Sequence, residues 1–253
     1  MFRCEIRLLG TFEIRRPSGE SVAVPQGKLR ALFCGLALRP GRTASMTEIA
    51  EWLWDGAPPP SARTTIRGYV KRLRRLLDVA TGESAITSTQ HGYRLEISPG
   101  DVDVHRFSAL VTRAVPLAGS AEEARLLREA LALWRGPAFC DVSSDSLHRD
   151  IGPALREQYL DAVWRRIEYD LRSGDPANVV AELRHLVKEN PIRETFWAQL
   201  MRALEGAGRA AEALAAYAEC REVLADELGV DPCGQLRELH QRILLGKPAP
   251  APV

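Results

Sequence analysis

The 253-residue chain is poor in the residues that chemistry at a protein site usually demands. Its five cysteines, Cys4, Cys34, Cys140, Cys220 and Cys233, are odd in number with no close pair, which excludes a disulfide framework and a structural zinc site. The histidines His91, His105, His148, His185 and His240 are scattered without metal-ligand spacing, and none lies in a nucleophile motif. A phosphate-cradling glycine loop and a Gly-x-Ser-x-Gly elbow are both missing. Catalysis is left without support, so the expectation is a non-enzyme with no cofactor and no metal. Long apolar runs are missing as well: the longest, Leu29 to Leu38, is interrupted by Arg30 and too short to span a bilayer. Met1-Phe2-Arg3-Cys4-Glu5 opens into strand-like alternation in place of a signal peptide. The expected location is the cytoplasm, with no membrane partner.

Acidic residues are missing where they matter most, since none lies between Ala57 and Leu77. Within that stretch, Thr64 to Leu77 reads TTIRGYVKRLRRLL. Ile66, Val70, Leu73 and Leu77 recur at helical spacing and stack into one core-seeking stripe. At about 100° per residue, Thr64, Gly68, Lys71 and Arg75 point away from that stripe, with Arg72 beside them and Arg67 and Arg74 on one flank. No acid within the stretch offers these cations a local helix partner. Past Ala80-Thr81-Gly82, Ala85 to Ser88 and Tyr93 to Ile97 read as two short strands around Thr89-Gln90-His91-Gly92. A hairpin directly after a basic helix is the order of a winged helix, in which the helix enters the major groove and the hairpin reaches the backbone. Nucleic-acid binding is therefore expected ahead of a merely solvated surface helix.

With 45% hydrophobic and 26% charged residues the chain is long enough for two cores. The net charge of +1 conceals an asymmetry: residues 1–97 carry 15 Lys plus Arg against 9 Asp plus Glu, and the remainder 19 against 24. A basic first half suits a polyanion, and an acidic second half suits proteins. Upstream of the basic helix, residues 3–24 alternate around Gly10 and Pro17-Ser18-Gly19, which predicts a small antiparallel sheet. A helix from about Gly27 to Leu38 stops at Arg39-Pro40-Gly41. A second helix starts at Ser45, with Glu48 completing a capping box and Ile49, Ala50, Trp52 and Leu53 on its apolar face. It ends before Asp55-Gly56-Ala57-Pro58-Pro59-Pro60, an exposed loop.

From Val102 onward the sequence reads as helix: 104–115, 121–134, 147–173, 177–189, 192–205, 210–228 and 234–245. Trp164, Ile167 and Leu171 recur 33 residues later as Trp197, Leu200 and Leu204. Gly174, Val179, Leu183 and Leu186 recur 34 later as Gly208, Ala213, Tyr217 and Cys220, which is the tetratricopeptide period. Trp164, Trp197 and Tyr217 are read as inter-helix packing, and the dense Glu and Arg as i,i+4 surface pairs. The fold class is mainly α, an α+β winged helix-turn-helix over residues 1–98 followed by an all-α, tetratricopeptide-like domain over 99–246. An Ala/Pro tail occupies 247–253.

In the first half LLGTFEIRR, GKLRALFCGLALRPGR, AEWLWDGAPP, TTIRGYVKRLRRLL and TQHGYRLEI follow one another. In the second half come DVDVHRF, EALALWRGPAF, the run from Val180 to Tyr217, and LADELGVDP. In that order they resemble the Streptomyces antibiotic regulatory proteins, a family of activators joining an OmpR-type winged helix to a bacterial transcriptional activation domain. The resemblance spans roughly residues 5–245. It implies a recognition helix at Thr64 to Leu77, with Thr64 among its DNA-binding residues and Arg67, Gly68, Lys71, Arg72 and Arg75 facing the major groove. Tyr69 and Arg74 reach flanking phosphates. Arg72 is the first choice for a base contact, because a guanidinium can bond guanine O6 and N7 together. The wing contributes Gln90, His91 and Tyr93. Trp54, Asp55, Pro58, Pro59 and Pro60 fall in the loop that resembles a docking site for RNA polymerase sigma and alpha subunits. The resemblance further implies a homodimer on direct repeats of promoter DNA and control of secondary-metabolite genes. Two other readings stand beside it. One is the DNA-binding front end of a larger regulator with a downstream ATPase module, for which Gly246 to Val253 would begin the linker. The other is a tetratricopeptide-like adaptor whose basic domain binds RNA or an acidic protein; against it, the basic helix has only Tyr69 as an aromatic for base stacking.

Overall fold

The structure, a computed structural model, describes residues 4–81, 85–174 and 176–246, so the Ala/Pro tail at 247–253 lies outside the described residues. The N-terminal alternation forms strands β1 (Glu5–Arg7) and β2 (Glu13–Arg15), antiparallel with Ile6 opposite Ile14, both fully buried. Helix α1 (Lys28–Ala37) and helix α2 (Met46–Trp54) then pack together. Gly35 allows this close approach: a Cβ there would lie 2.2 Å from the Trp52 ring. The expected capping box is present, with Ser45 Oγ accepting from Glu48 N at 3.2 Å and the Glu48 carboxylate accepting from Ser45 N at 2.9 Å.

Helix α3 (Ala62–Thr81) outruns its core-seeking stripe at both ends. Its entry is set by Ala62 N donating to Pro59 O and Thr65 N donating to Ser61 O. Ile66, Val70, Leu73 and Leu77 are all buried, and burial of each aliphatic side chain is worth about 1.5–3 kcal/mol. The stripe thus fixes which face of α3 is left to solvent. Strands β4 (Ile86–Ser88) and β5 (Gly92–Leu95) form the hairpin. Sequence periodicity had no signal for a further strand, β3 (Thr43–Ser45), which pairs antiparallel with β5 to give the sheet order β3-β5-β4. Three residues are too few for alternation to show; their extended state comes from the ladder with β5.

The helical half comprises α4 (Asp103–Ala114), α5 (Ala121–Leu131), α6 (Asp145–Asp150), α7 (Gly152–Ser173), α8 (Ala177–Glu189), α9 (Glu194–Gly206), α10 (Ala210–Leu228) and α11 (Gly234–Leu244). The single helix expected over 147–173 is two. α6 is capped by Ser144 Oγ, which accepts from Leu147 N, and the chain restarts at Gly152-Pro153, where proline suits a first helical turn. Packing divides the chain into two compact units. The first runs through Pro116 and takes in Leu126–Leu160, and the second combines Leu117–Arg125 with the chain from Asp161 on.

In the first unit the buried Asp103 at the start of α4 accepts from Leu8 N at 2.8 Å and Leu9 N at 3.0 Å, with Arg135 at 3.6 Å. Leu8 O and Leu9 O accept in turn from Phe139 N and Arg135 N. The segment after β1 is therefore satisfied on both sides, as a buried backbone must be. In the second unit α8, α9, α10 and α11 stack in sequence. Trp197 is 2% exposed, with its Nε1 donating to Pro191 O at 2.8 Å, whereas Trp164 and Tyr217 are half-buried, Tyr217 stacked on His240. The i,i+4 expectation holds for Arg166–Asp170 and Arg165–Asp161 but does not account for every pair. Arg202–Glu168, Arg242–Glu205, Arg166–Glu182 and Arg184–Glu212 join different helices, because stacked helix pairs bring residues 16 to 37 positions apart face to face.

Candidate nucleic-acid interface

On α3, Thr64, Arg67, Gly68, Lys71, Arg72 and Arg75 are exposed, all away from the buried stripe. Among the described residues Arg67, Lys71, Arg72 and Arg75 have no ion-pair partner. The helix runs unbroken through Gly68, and a Cβ there would meet nothing within 4 Å, so packing in the free protein does not require glycine. Tyr69 and Arg74 are half-buried. Arg74 is engaged with the wing: its Nε donates to Ile86 O and its Nη2 to Ser88 Oγ, each at 2.9 Å. Its guanidinium also lies over the Tyr93 ring, 5.9 Å from the centroid. Helix α3 and the hairpin are thus held as one surface by a side chain that helical spacing alone presents as one more free cation.

Arg67, Lys71, Arg74, Arg75 and Tyr93 come together in a groove of about 430 Å³ between α3 and the hairpin. Asp78 is the single acid in its lining. Gln90 and His91 stand exposed at the hairpin tip, outside this groove. The tip is closed by Thr89 N donating to Gly92 O at 2.9 Å and Gly92 N donating to Thr89 Oγ1 at 3.1 Å. Arg94 on β5 is paired with Glu96. Helical spacing did not single out two further cations: Arg63, exposed on the first turn of α3, and Arg16, which lines a second cleft with Arg72 and Arg75.

The loop from α2 to α3 lies apart from both clefts. Asp55, Pro58 and Pro60 are exposed, and Trp54 and Pro59 half-buried. Asp55 adopts the left-handed conformation (φ 50°), and its Oδ1 accepts from Ser146 N at 2.7 Å, which ties the loop to the first turn of α6. Ser146 Oγ donates to Glu51 O at 3.3 Å, and the Lys28 ammonium, bonded to Leu53 O, lies 5.7 Å from the centroid of the Trp54 ring. The loop is therefore anchored at its start and open across its prolines.

The family model for the transcriptional regulatory protein C-terminal domain matches residues 21–95, and that for the bacterial transcriptional activator domain matches 102–244. The regulatory protein DnrI of Streptomyces peucetius is 34% identical over 254 residues, covering 96% of this chain and 93% of DnrI. The chain belongs to the Streptomyces antibiotic regulatory protein family. Within that family its match to the regulatory protein AfsR of Streptomyces coelicolor is 39% identical and covers 91% of this chain but 23% of AfsR. A solved structure of Mycobacterium tuberculosis EmbR in complex with a low-affinity phosphopeptide superposes with a TM-score of 0.89 at 33% identity, over 98% of this chain and 66% of that one. The chain thus spans nearly all of DnrI, about two thirds of the EmbR chain and about a quarter of AfsR. The family fold, an OmpR-type winged helix followed by tetratricopeptide-like helices, is the one described above. The family is one of transcriptional regulators. Among the described residues no helix is long and apolar enough to cross a membrane.

Proposed function

We propose that the chain is a sequence-specific DNA-binding transcriptional activator that occupies direct repeats upstream of promoters and recruits RNA polymerase. The observation that carries this reading is the row of exposed cations on α3, without ion-pair partners among the described residues and set opposite a fully buried stripe. Arg72 reads a base edge; Lys71 and Arg75 neutralise phosphates; Arg67, Thr64 and the Gly68 backbone line the same approach. Arg74 braces the wing and, with Tyr69, borders the flanking backbone, while Gln90, His91 and Tyr93 present the wing to the adjacent groove. Two copies on a direct repeat bind cooperatively, and antibiotic-type secondary-metabolite genes are the targets in keeping with the family.

In vitro selection from random duplex DNA, followed by salt titration, tests this. A short motif in tandem repeats is expected, with affinity falling as salt rises through counterion release. Recovery of no motif, with only weak salt-sensitive binding, would reduce α3 to a generic polyanion surface. Arg72→Ala is expected to lose about 1–3 kcal/mol on the selected site and to relax one base preference. An unchanged preference removes Arg72 from base reading.

The loop Trp54 to Ala62 is the polymerase contact, for sigma or alpha subunits. Its support is an anchored start at Asp55 followed by three prolines, Pro58 and Pro60 exposed, which keep it extended before any partner arrives. Replacing Pro58, Pro59 and Pro60 by alanine adds about 0.4–1 kcal/mol of chain freedom per proline to be lost on docking. Transcription in a reconstituted assay falls while duplex affinity holds; equal loss of both would make the loop structural.

A further inference from the structure

The second cleft, about 440 Å³ in volume, lies on the opposite flank of α3 from the wing. It is lined by Arg16 and Ser21 from the segment around β2 and by Arg72, Arg75 and Leu76 from α3. The two clefts share Arg75 alone, so they border the exposed face of α3 on its two sides. The wing-side groove contains Asp78, but no carboxylate lines this one, although three guanidinium groups converge on it. Arg72 and Arg75 have no ion-pair partner among the described residues. Arg16 has one, Glu20, through Nη1 at 2.9 Å, in a pair whose carboxylate side chain is 68% exposed. An ion pair that open to water holds its arginine weakly. The backbone of the turn fixes Arg16 more firmly: Gly19 N donates to Arg16 O and Arg16 N to Glu20 O, each at 2.9 Å. Like charges gathered around one concavity repel unless an anion joins them, and fork-shaped guanidinium groups match phosphate oxygens.

We propose that this cleft receives a DNA-backbone phosphate and that Arg16 is a phosphate-binding residue, so that the turn after β2 is a third DNA-contacting element beside α3 and the wing. The inference rests on the DNA-binding reading above. With α3 in a major groove about 12 Å wide, its two flanks face the two backbone walls. The wing meets one wall, and the Arg16 turn meets the other. Arg16 contributes affinity and orientation without sequence preference, since a phosphate carries no base identity.

The test uses the full chain with a mixed-sequence duplex of about 30 base pairs and with the duplex recovered by selection, each titrated across salt. Arg16→Ala is expected to weaken binding to both by on the order of tenfold and to take about one off the slope of log affinity against log salt, with the selected motif unchanged. Glu20→Gln, which removes the competing carboxylate from an exposed position, is expected to tighten binding to both. Wild-type affinity and slope for a folded Arg16→Ala overturn the proposal, as does a shift in its selected motif. Should Arg16→Ala fail to fold, Glu20→Gln decides, and no gain in affinity overturns the proposal. Absence of salt-dependent duplex binding by the unaltered chain defeats the DNA-binding reading itself, a result distinct from binding that is intact but indifferent to Arg16.

Discussion

Asp103→Ala lowers the unfolding midpoint of the chain far more than removal of an exposed carboxylate such as that of Glu20 would. Asp103 is 1% exposed, and its carboxylate accepts from two backbone N–H groups, Leu8 and Leu9, which have no other acceptor once it is removed. Each orphaned buried donor costs about 1–3 kcal/mol. Arg135, 3.6 Å away, loses its carboxylate as well. Against these losses stands the burial of the carboxylate, which raises its pKa above the ordinary 3.8 despite the bonds from Leu9 and Leu8 and the charge of Arg135. The net loss is therefore about 2–4 kcal/mol. The direction of the shift fixes the pH dependence. A carboxyl with a raised folded pKa binds its proton more tightly in the native state, so its contribution is fully present below the unfolded value and declines as pH rises through the folded one. The stability gap between wild type and variant is therefore widest at the acid end of that window. Urea unfolding of the two proteins across pH measures it. A gap that widens toward neutral pH would show that the two N–H bonds outweigh the burial of the charge.

What the sequence disclosed, and what it did not, follows from the range of the interactions. Ile66, Val70, Leu73 and Leu77 announce their burial because a helix repeats within the window of the pattern, and the Ser45–Glu48 cap is complete within four residues. The face of α3 that carries Arg67, Lys71, Arg72 and Arg75 was legible for the same reason. β3 was not, because Thr43-Ala44-Ser45 is extended only through its ladder with β5, about fifty residues on in the chain. The Arg74 bonds need β4 in place, the Asp55–Ser146 tie spans 91 positions, and Arg16 joins Arg72 and Arg75 only once the N-terminal turn is folded against α3. Helical arginines in the second half were legible in part: local spacing accounts for Arg166–Asp170 and Arg165–Asp161, whereas Arg184, Arg202 and Arg242 find carboxylates on neighbouring helices. Local patterns identify elements and their outward faces, whereas the partners of individual charges are decided by tertiary packing.

Gly92→Ala tests whether the wing must keep its seat beside α3. Gly92 opens β5 and faces Ser45 across the ladder to β3. Its φ lies outside the left-handed region, so alanine meets no backbone strain there; the obstacle is space. A Cβ at this position would lie 1.9 Å from Ala44 O and 3.0 Å from Ser45 Cα, backbone atoms that cannot turn aside as a side chain would. β5 must then move off β3, and the cost is at or above the upper end of the roughly 1–3 kcal/mol typical of overpacking. The displacement reaches the interface directly. The next residue, Tyr93, lies under the Arg74 guanidinium, and β4, which pairs with β5, supplies the Ile86 and Ser88 oxygens that hold Arg74. With β5 displaced, Arg74 comes free and the groove between α3 and the hairpin loses its shape, while the buried stripe of α3 is untouched. The expected outcome at a temperature where the variant is still folded is unchanged helical circular dichroism and a duplex affinity at least tenfold weaker, by about 1.4 kcal/mol or more. Gln90→Ala, an exposed substitution at the same hairpin tip, serves as the comparison for losing a single wing side chain. Full affinity in a folded Gly92→Ala protein would mean that the hairpin takes no part in binding and that α3 engages the duplex without it.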